Sequence, residues 1–350
     1  MRRMHVAVVL LLLSLIAPAA ARADQADDYI KRQMAAFHLP GLSLAVVKNG
    51  QVMKAQGYGL ADIQRRIPMT TQTGLKICSV SKQFIAAGIM LLVTDGRLRL
   101  DDPISKYLEG TPPAWAPITI RHLLTHTSGL VRESPTFDAK KDQHDADVIK
   151  GAYAVPLRFV PGQRWEYSNT GYYALAETIH KVTGRPWAEF LTERIFMPAG
   201  MTATVTTNTK PPGAAVARGY TGNDNGQIAD DWLALRPSGA FRSTVLDLAR
   251  WDAVLYTNRI LSESALRQMS TPVQLNDGRT APYGFGWHVD AVGTHRRVWH
   301  GGGLPGFTAQ FVRFPDDKLT IIVLANGDDV DTASIANGLA ALFYLPNGKR

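Results

Sequence analysis

The chain has 350 residues, a hydrophobic fraction of 45% and a formal net charge of +8 at pH 7. Arg2, Arg3 and Arg22 supply three of these charges, so the chain from residue 24 has a formal charge of +5. Because this excess is mild and includes no long basic run, the composition gives little support for nucleic-acid binding. The single cysteine, Cys78, excludes an internal disulfide framework, and we interpret it as a small buried residue rather than a catalytic thiol.

The first 23 residues have the pattern of a secretory signal peptide. A basic start precedes the apolar run 6–16, and Ala21-Arg22-Ala23 has the form of a cleavage site. The apolar run is shorter than the roughly 20 residues that span a bilayer. We therefore expect cleavage before Asp24 and a periplasmic or secreted protein without a stable membrane span. A retained N-terminal anchor is the alternative.

The predicted elements fall into strands, then helices, then strands again. After a short helix over 25–37, two strands at 42–47 and 51–57 join at Asn49-Gly50, which is a strong hairpin signal. The helical pattern that follows predicts helices at 79–94, 119–126, 170–182, 186–197, 244–256 and 263–269. The C-terminal part predicts strands at 284–289, 296–300, 307–314 and 319–325, then a helix at 332–344.

Strands at both ends of the chain with helices between them predict an α+β fold, a layered α/β sandwich. One antiparallel sheet would be built from about 24–75 and 280–350 and flanked by the terminal helices. A large, mostly helical insertion would occupy about 76–279. We expect a single catalytic domain over 24–350.

The segment Cys78 to Phe84 contains the pair on which the functional prediction rests. Ser79 and Lys82 are three residues apart, so they share one face of a helix, whereas Ser81 points elsewhere. A serine hydroxyl needs a neighbouring base, and a lysine can be that base only when burial or positive potential disfavours its ammonium form. The start of an apolar helix supplies both conditions. Taken alone, Ser-x-x-Lys is also expected by chance in an amphipathic helix.

Two further motifs follow in the chain. Tyr167-Ser168-Asn169 lies on a loop that enters a helix, and His300-Gly301-Gly302 closes a strand just before Gly303, where backbone can approach a ligand closely. In isolation, the first motif is more typical of a turn with an aromatic residue packed beneath it than of a catalytic site.

With these three motifs in order, the sequence resembles the serine hydrolases of the penicillin-recognising fold. That group includes class C β-lactamases, D-alanyl-D-alanine peptidases, D-aminopeptidases and related esterases. The stretches 38–42, 121–129 and 283–287 are also similar to it, so the resemblance covers nearly all of residues 24–350.

The resemblance implies a role for each motif residue. Ser79 attacks a carbonyl and forms an acyl-enzyme, while Lys82 and Tyr167 share the proton transfers as a coupled pair. Asn169 offers an amide to Lys82 or to the acyl group of the substrate. The backbone N–H groups of Ser79 and Gly303 would form the oxyanion hole, with Gly302 beside them at the substrate.

His300 departs from the Lys-Thr-Gly that many β-lactamases and penicillin-binding proteins have at this place. An imidazole with an ordinary pKa is largely neutral at pH 7.5, so the permanent charge that anchors a carboxylate is missing. We therefore rank a small ester or a peptide-like amide above a β-lactam as substrate. The alternative is a penicillin-binding sensor or a D-Ala-D-Ala carboxypeptidase-like protein that acylates with little turnover.

No cofactor is predicted, and metal binding has little support. His122 and His126 have helical ligand spacing, but no third acidic ligand accompanies them, and we expect them to satisfy backbone groups instead. The long segment 202–238, rich in Gly, Asn, Pro and Thr, is the expected variable wall of the pocket, and Tyr220 and Trp232 are either lining or packing residues.

Overall fold

A seven-stranded antiparallel sheet combines strands from both ends of the chain in the computed structural model, which describes residues 24–213 and 215–344. The predicted signal segment lies outside these residues. The strands are β1 Gly41–Lys48, β2 Gln51–Asp62, β3 Ile67–Pro68, β4 Leu75–Lys76, β5 Val205–Thr206, β6 Tyr220–Thr221, β7 Gln227–Ile228, β8 Phe241–Ser243, β9 Val273–Gln274, β10 Thr280–Ala281, β11 His288–Val292, β12 His295–Leu304, β13 Phe307–Phe314 and β14 Leu319–Ala325.

The helices are α1 over 24–36, α2 Lys82–Thr94, α3 Ile120–Leu124, α4 Asp145–Gly151, α5 Asn169–Thr183, α6 Trp187–Leu191, α7 Met197–Ala199, α8 Val245–Val254, α9 Glu263–Met269 and α10 Thr332–Tyr344. A π-helical turn, Thr192–Phe196, links α6 to α7, and short 3-10 turns occur at Cys78–Ser81, Ile104–Lys106, Pro113–Trp115 and Pro237–Gly239. Within the described ranges, no helix is long and apolar enough to cross a bilayer.

The order of the large sheet is β11-β12-β13-β14-β1-β2-β3, so the two chain ends meet where β14 pairs with β1. The strands β1, β13 and β14 are buried almost throughout because helices cover both faces of the sheet. On one face, Leu42 and Leu44 pack with the terminal helices α1 and α10. On the other face, Ala45 and Val47 join the core of the helical insertion. This arrangement confirms the predicted fold class.

The predicted hairpin at Asn49-Gly50 is confirmed. Both residues have positive φ angles, 52° and 73°, which is the conformation that a two-residue turn with the twist of the flanking strands requires.

The strand predicted at 284–289 is wrong over its first four residues, because β11 begins only at His288. Gly286 has φ of 76°, and a β-carbon at this position would lie 2.9 Å from the Cα of Gln83. The segment is therefore a turn that packs directly against the start of α2, a tertiary contact that its alternating glycine and aromatic pattern does not reveal.

Candidate active site

The candidate nucleophile lies in the 3-10 turn that leads into α2. Ser79 is half-buried, whereas Ser81 is fully buried and accepts a hydrogen bond from the backbone N–H of Phe241 at 3.1 Å. The two serines therefore differ as predicted. Ser79 can meet a substrate, and Ser81 ties the turn to β8.

Lys82 is fully buried beside that serine. Its Nζ lies 3.2 Å from Ser79 Oγ and donates to the carbonyl of Ser238 at 2.8 Å. Burial holds the pKa of Lys82 well below its ordinary value, and the positive charge of Arg236 lowers it further. A lowered pKa favours the neutral amine, whose lone pair can accept the proton of Ser79.

Tyr167 completes the group around Ser79. Lys82 Nζ lies 4.7 Å from the centre of the Tyr167 ring. Burial raises the pKa of Tyr167, while the hydroxyl of Ser79 and the charge of Arg236 oppose that rise. The structure thus brings together Ser79, Lys82 and Tyr167, with the phenol protonated at neutral pH and able to relay a proton.

Asn169 is the first residue of α5, and its amide does not contact Lys82. The Nδ2 group donates to the carboxylate of Glu133, which also pairs with Arg236. The Oδ1 atom of Asn169 is buried without a hydrogen-bond partner among the described residues. Ser238, rather than Asn169, orients the amine of Lys82. Contact between the amide of Asn169 and the acyl group of a substrate stays a prediction.

His300 is almost completely buried, and both ring nitrogens are engaged. Its Nδ1 lies 2.6 Å from the carbonyl of Gly301, which can only accept, so Nδ1 holds the proton. Nε2 then accepts from the hydroxyl of Tyr283 at 2.9 Å. Burial holds the pKa of His300 well below its ordinary value, so the ring is neutral and offers no charge to a substrate.

The end of β12 forms the other wall beside Ser79. β11 pairs with β12 only from His295 to Trp299, and β12 continues to Leu304 with β13 as its partner. A β-carbon at Gly302 would lie 2.6 Å from the backbone nitrogen of Ser79, whereas one at Gly303 would meet nothing within 4 Å. Gly302 therefore allows close packing against the nucleophile turn, and Gly303 faces open space. The oxyanion hole at Ser79 and Gly303 stays a prediction.

The two histidines of metal-ligand spacing serve the backbone. His122 Nδ1 accepts from the N–H of Thr119 at 3.2 Å, and His126 Nδ1 accepts from the N–H of Ser168 at 3.1 Å. This confirms the backbone role expected for them. Within residues 24–213 and 215–344, no group of three or more His, Cys, Asp or Glu side chains could hold a metal ion.

Cys78 precedes the nucleophile and is fully buried. Burial raises the pKa of its thiol to about 12, so it is protonated at neutral pH and a poor nucleophile. This agrees with its interpretation as a small buried residue.

The long segment 202–238 lines a cavity beside β4 and β8 whose lining does not include Ser79, Lys82 or Tyr167, so its role as a wall of the substrate pocket stays a prediction. Tyr220 is fully buried, and its hydroxyl bonds to Gln64 and to the backbone of Ile63, which makes it a packing residue. Trp232 lines the cavity and contacts the ring of Phe137.

Comparison with known proteins agrees with the geometry. Residues 26–344 match the family described as Beta-lactamase. The chain belongs to the β-lactamase family. Among curated members it is 33% identical over 311 residues to penicillin-binding protein 4* of Bacillus subtilis (strain 168), covering 80% of this chain and 68% of that protein. It is 32% identical over 329 residues to a D-aminopeptidase of Cereibacter sphaeroides, covering 90% of this chain and 62% of that enzyme, so it spans about three fifths of the enzyme's length.

Solved structures of related proteins are similar to this chain in fold. The octameric penicillin-binding protein homologue from Pyrococcus abyssi has a TM-score of 0.80 at 27% identity, over 91% of this chain and 77% of that chain. The D-amino acid amidase from Ochrobactrum anthropi SV3 complexed with D-phenylalanine has a TM-score of 0.78 at 26% identity, over 93% of this chain and 99% of that chain. The predicted family and the predicted class, serine hydrolase, are confirmed.

Several residues that surround the site were not predicted to belong to it. The ring of His126 lies 4.2 Å from that of Tyr167, and Tyr283 bonds to His300. Both residues fall within the family-like stretches 121–129 and 283–287, which was the signal available. No signal in the sequence pointed to Glu133 or Arg236, because an isolated Glu or Arg in a loop is usually solvated.

Proposed function

We propose that this member of the β-lactamase family is an exported hydrolase that forms an acyl-enzyme at Ser79 and hydrolyses an amide or ester. The observation that supports it best is the buried amine of Lys82 within hydrogen-bond distance of Ser79 Oγ. In the first step, Oγ bonds to the substrate carbonyl carbon, and its proton passes to Lys82. The leaving group departs with a proton relayed through Tyr167.

In the second step, water attacks the acyl-enzyme ester. Its proton passes to the Tyr167–Lys82 pair, and the bond from Ser79 Oγ to the acyl carbon breaks, with the serine reprotonated. No other base is required, because the pair returns to its starting protonation state after each cycle.

For the substrate, we propose an amide or peptide bond formed by a D-amino acid. The similarity to a D-aminopeptidase and to a D-amino acid amidase supports this choice. The site itself favours substrates that need no carboxylate anchor, since His300 is neutral and both of its nitrogens are engaged. A β-lactam, which usually presents a carboxylate, therefore ranks below an amide.

The test is turnover of D- and L-phenylalanine p-nitroanilides, a short-chain p-nitrophenyl ester and nitrocefin by the purified chain, with Ser79→Ala as the blank. We expect hydrolysis of the D-anilide and the ester, slow or no hydrolysis of nitrocefin, and none by the variant. Full activity of Ser79→Ala would contradict the acyl-enzyme.

A protein that acylates with little turnover is the second candidate, and the similarity to a penicillin-binding protein favours it. A stoichiometric, long-lived penicillin adduct on Ser79 without release of product would replace the hydrolase by this candidate.

Export is proposed from residues 1–23 alone, whose basic start, apolar run and Ala21-Arg22-Ala23 have the form of a cleavable signal. N-terminal sequencing of the protein from a periplasmic or culture fraction should begin at Asp24. A protein that starts at Met1 in the cytoplasm would contradict export.

A further inference from the structure

A cavity of about 740 Å³ lies between the segment 202–238 and the strand that leads to Ser79. Lys76 on β4 and Arg242 on β8 line it, and the two residues are direct cross-strand partners. Residues directly opposite each other in antiparallel strands project to the same face of the sheet. Two cations in this register repel each other, and they do so inside the protein, because both residues are more than nine-tenths buried.

Of these two cations, only Lys76 has a carboxylate within ion-pair distance among the described residues. Lys76 Nζ pairs with Asp231, whose side chain is 74% exposed. Arg242 has no carboxylate within ion-pair distance among the described residues. Its Nη1 donates to the carbonyl of Thr209 at 2.6 Å, and its Nε is buried without a hydrogen-bond partner. A buried guanidinium that is left in this state costs stability.

Taken as a whole, the cavity wall carries an excess of positive charge. Its lining includes five basic side chains, Arg65, Lys76, Lys210, Arg218 and Arg242, against three carboxylates, Asp62, Asp230 and Asp231. Asp230 is shared with Lys140, which lies outside the lining, so the positive excess is larger than this count suggests.

We propose that this cavity is a binding site for a small anion that presents carboxylate or phosphate oxygens to Arg242 and Lys76. A planar guanidinium presents paired N–H donors that match two oxygens of such a group, and the ammonium of Lys76 supplies a second point of charge. The site is separate from Ser79 and does not depend on the proposed hydrolysis. Binding of the anion in this cavity would stabilise strand β4, which leads into the nucleophile turn.

The test is the thermal midpoint of the full chain, titrated with inorganic phosphate and separately with citrate, with sodium chloride holding ionic strength constant. A ligand that binds the folded state raises the midpoint in a saturable way. We expect saturation with at least one of these anions, and the anion that saturates identifies phosphate or carboxylate as the preferred group. We expect Arg242→Met to raise the dissociation constant about tenfold or more.

Arg242→Met should also raise the midpoint when no anion is present, because the substitution removes an uncompensated charge. Lys76→Met is the second variant and should also weaken anion binding. It provides the test if Arg242→Met does not fold. Arg259→Met, an exposed residue outside the lining, is the matched control and should titrate like the wild type.

The proposal is overturned if neither anion gives a saturable rise, or if both cavity variants titrate like the wild type. Ser79→Ala should bind the anion as the wild type does. A failure of this site therefore leaves the hydrolase proposal intact, and a failure of hydrolysis leaves this site intact.

Discussion

Gly302→Ala should displace the nucleophile without touching any reacting side chain. The new β-carbon would lie 2.6 Å from Ser79 N and 2.7 Å from Cys78 Cβ, where ordinary contact begins at 3.4 Å. Neither neighbour is the flexible end of a long side chain, so β12 and the nucleophile turn must separate by about 0.8 Å. Overpacking of this kind costs about 1–3 kcal/mol of stability. A misplacement approaching 1 Å lowers kcat by about tenfold to a hundredfold.

Gly303→Ala is the matched control for stability, because its β-carbon meets nothing within 4 Å. It keeps its N–H, and its free energy of unfolding should change by no more than about 0.5 kcal/mol. The kcat of Gly302→Ala is compared with that of the wild type alone, since the N–H of Gly303 is a predicted oxyanion-hole donor. The assays are urea denaturation and kcat on the D-anilide or the ester. If Gly302→Ala denatures at the wild-type midpoint and retains wild-type kcat, the close approach of β12 does not position Ser79.

Three further predictions follow from the charged groups. Arg236→Met removes a positive charge that lowers the pKa of Lys82, so the acid limb of the kcat/KM profile should move to higher pH, while Arg259→Met leaves it in place. Burial raises the pKa of Asp145 to about 7 from 3.8, so the folded state holds its proton more tightly than the unfolded state. As the pH rises from about 4 to 7, the wild type should therefore lose stability relative to Asp145→Asn, which pH-dependent denaturation measures. Asp252→Asn breaks a buried pair with Arg313 and should cost about 3–5 kcal/mol in denaturation, whereas Asp230→Asn, in an exposed pair, should cost less than 1 kcal/mol.

The elements that local pattern determines could be predicted from the sequence. The strands at 307–314 and 319–325 and the helices at 263–269 and 332–344 have the predicted bounds, because apolar runs and turn residues mark both of their ends. The conformation of the segment 283–287 could not be predicted, because Gly286 serves a contact with α2, about 200 residues earlier in the chain, and Gly284 packs against Met269 at the end of α9.

The partners within the site show the same limit. The three-residue spacing of Ser79 and Lys82 places both on one helical face, so their proximity follows from the sequence. The partner of Asn169 depends on two loops, at 133 and 236, that meet only in the folded chain. The hydrogen bonds of His300 likewise depend on Tyr283 approaching from another segment, so its donor capacity could not be judged from the motif.

The burial that makes Lys82 a base should also lower the free energy of unfolding by a measurable amount. The unfolded chain binds a proton at Lys82 up to about pH 10.5, whereas the folded chain releases it at much lower pH. Between those two pKa values the unfolded state therefore holds one more proton, and stability rises with pH by about 1.4 kcal/mol per pH unit. Lys82→Met has no such group, so the difference between its free energy of unfolding and that of the wild type should change with this slope.

The pH at which the slope disappears is the pKa of Lys82 in the folded protein. If Lys82 is the base, the acid limb of the wild-type kcat/KM profile must fall at that same pH, because both measurements report one titration of the free enzyme. If the slope of the stability difference disappears at one pH and the acid limb of kcat/KM falls at another, the base is a group other than Lys82. A difference that does not vary with pH would mean that Lys82 is not buried in its neutral form.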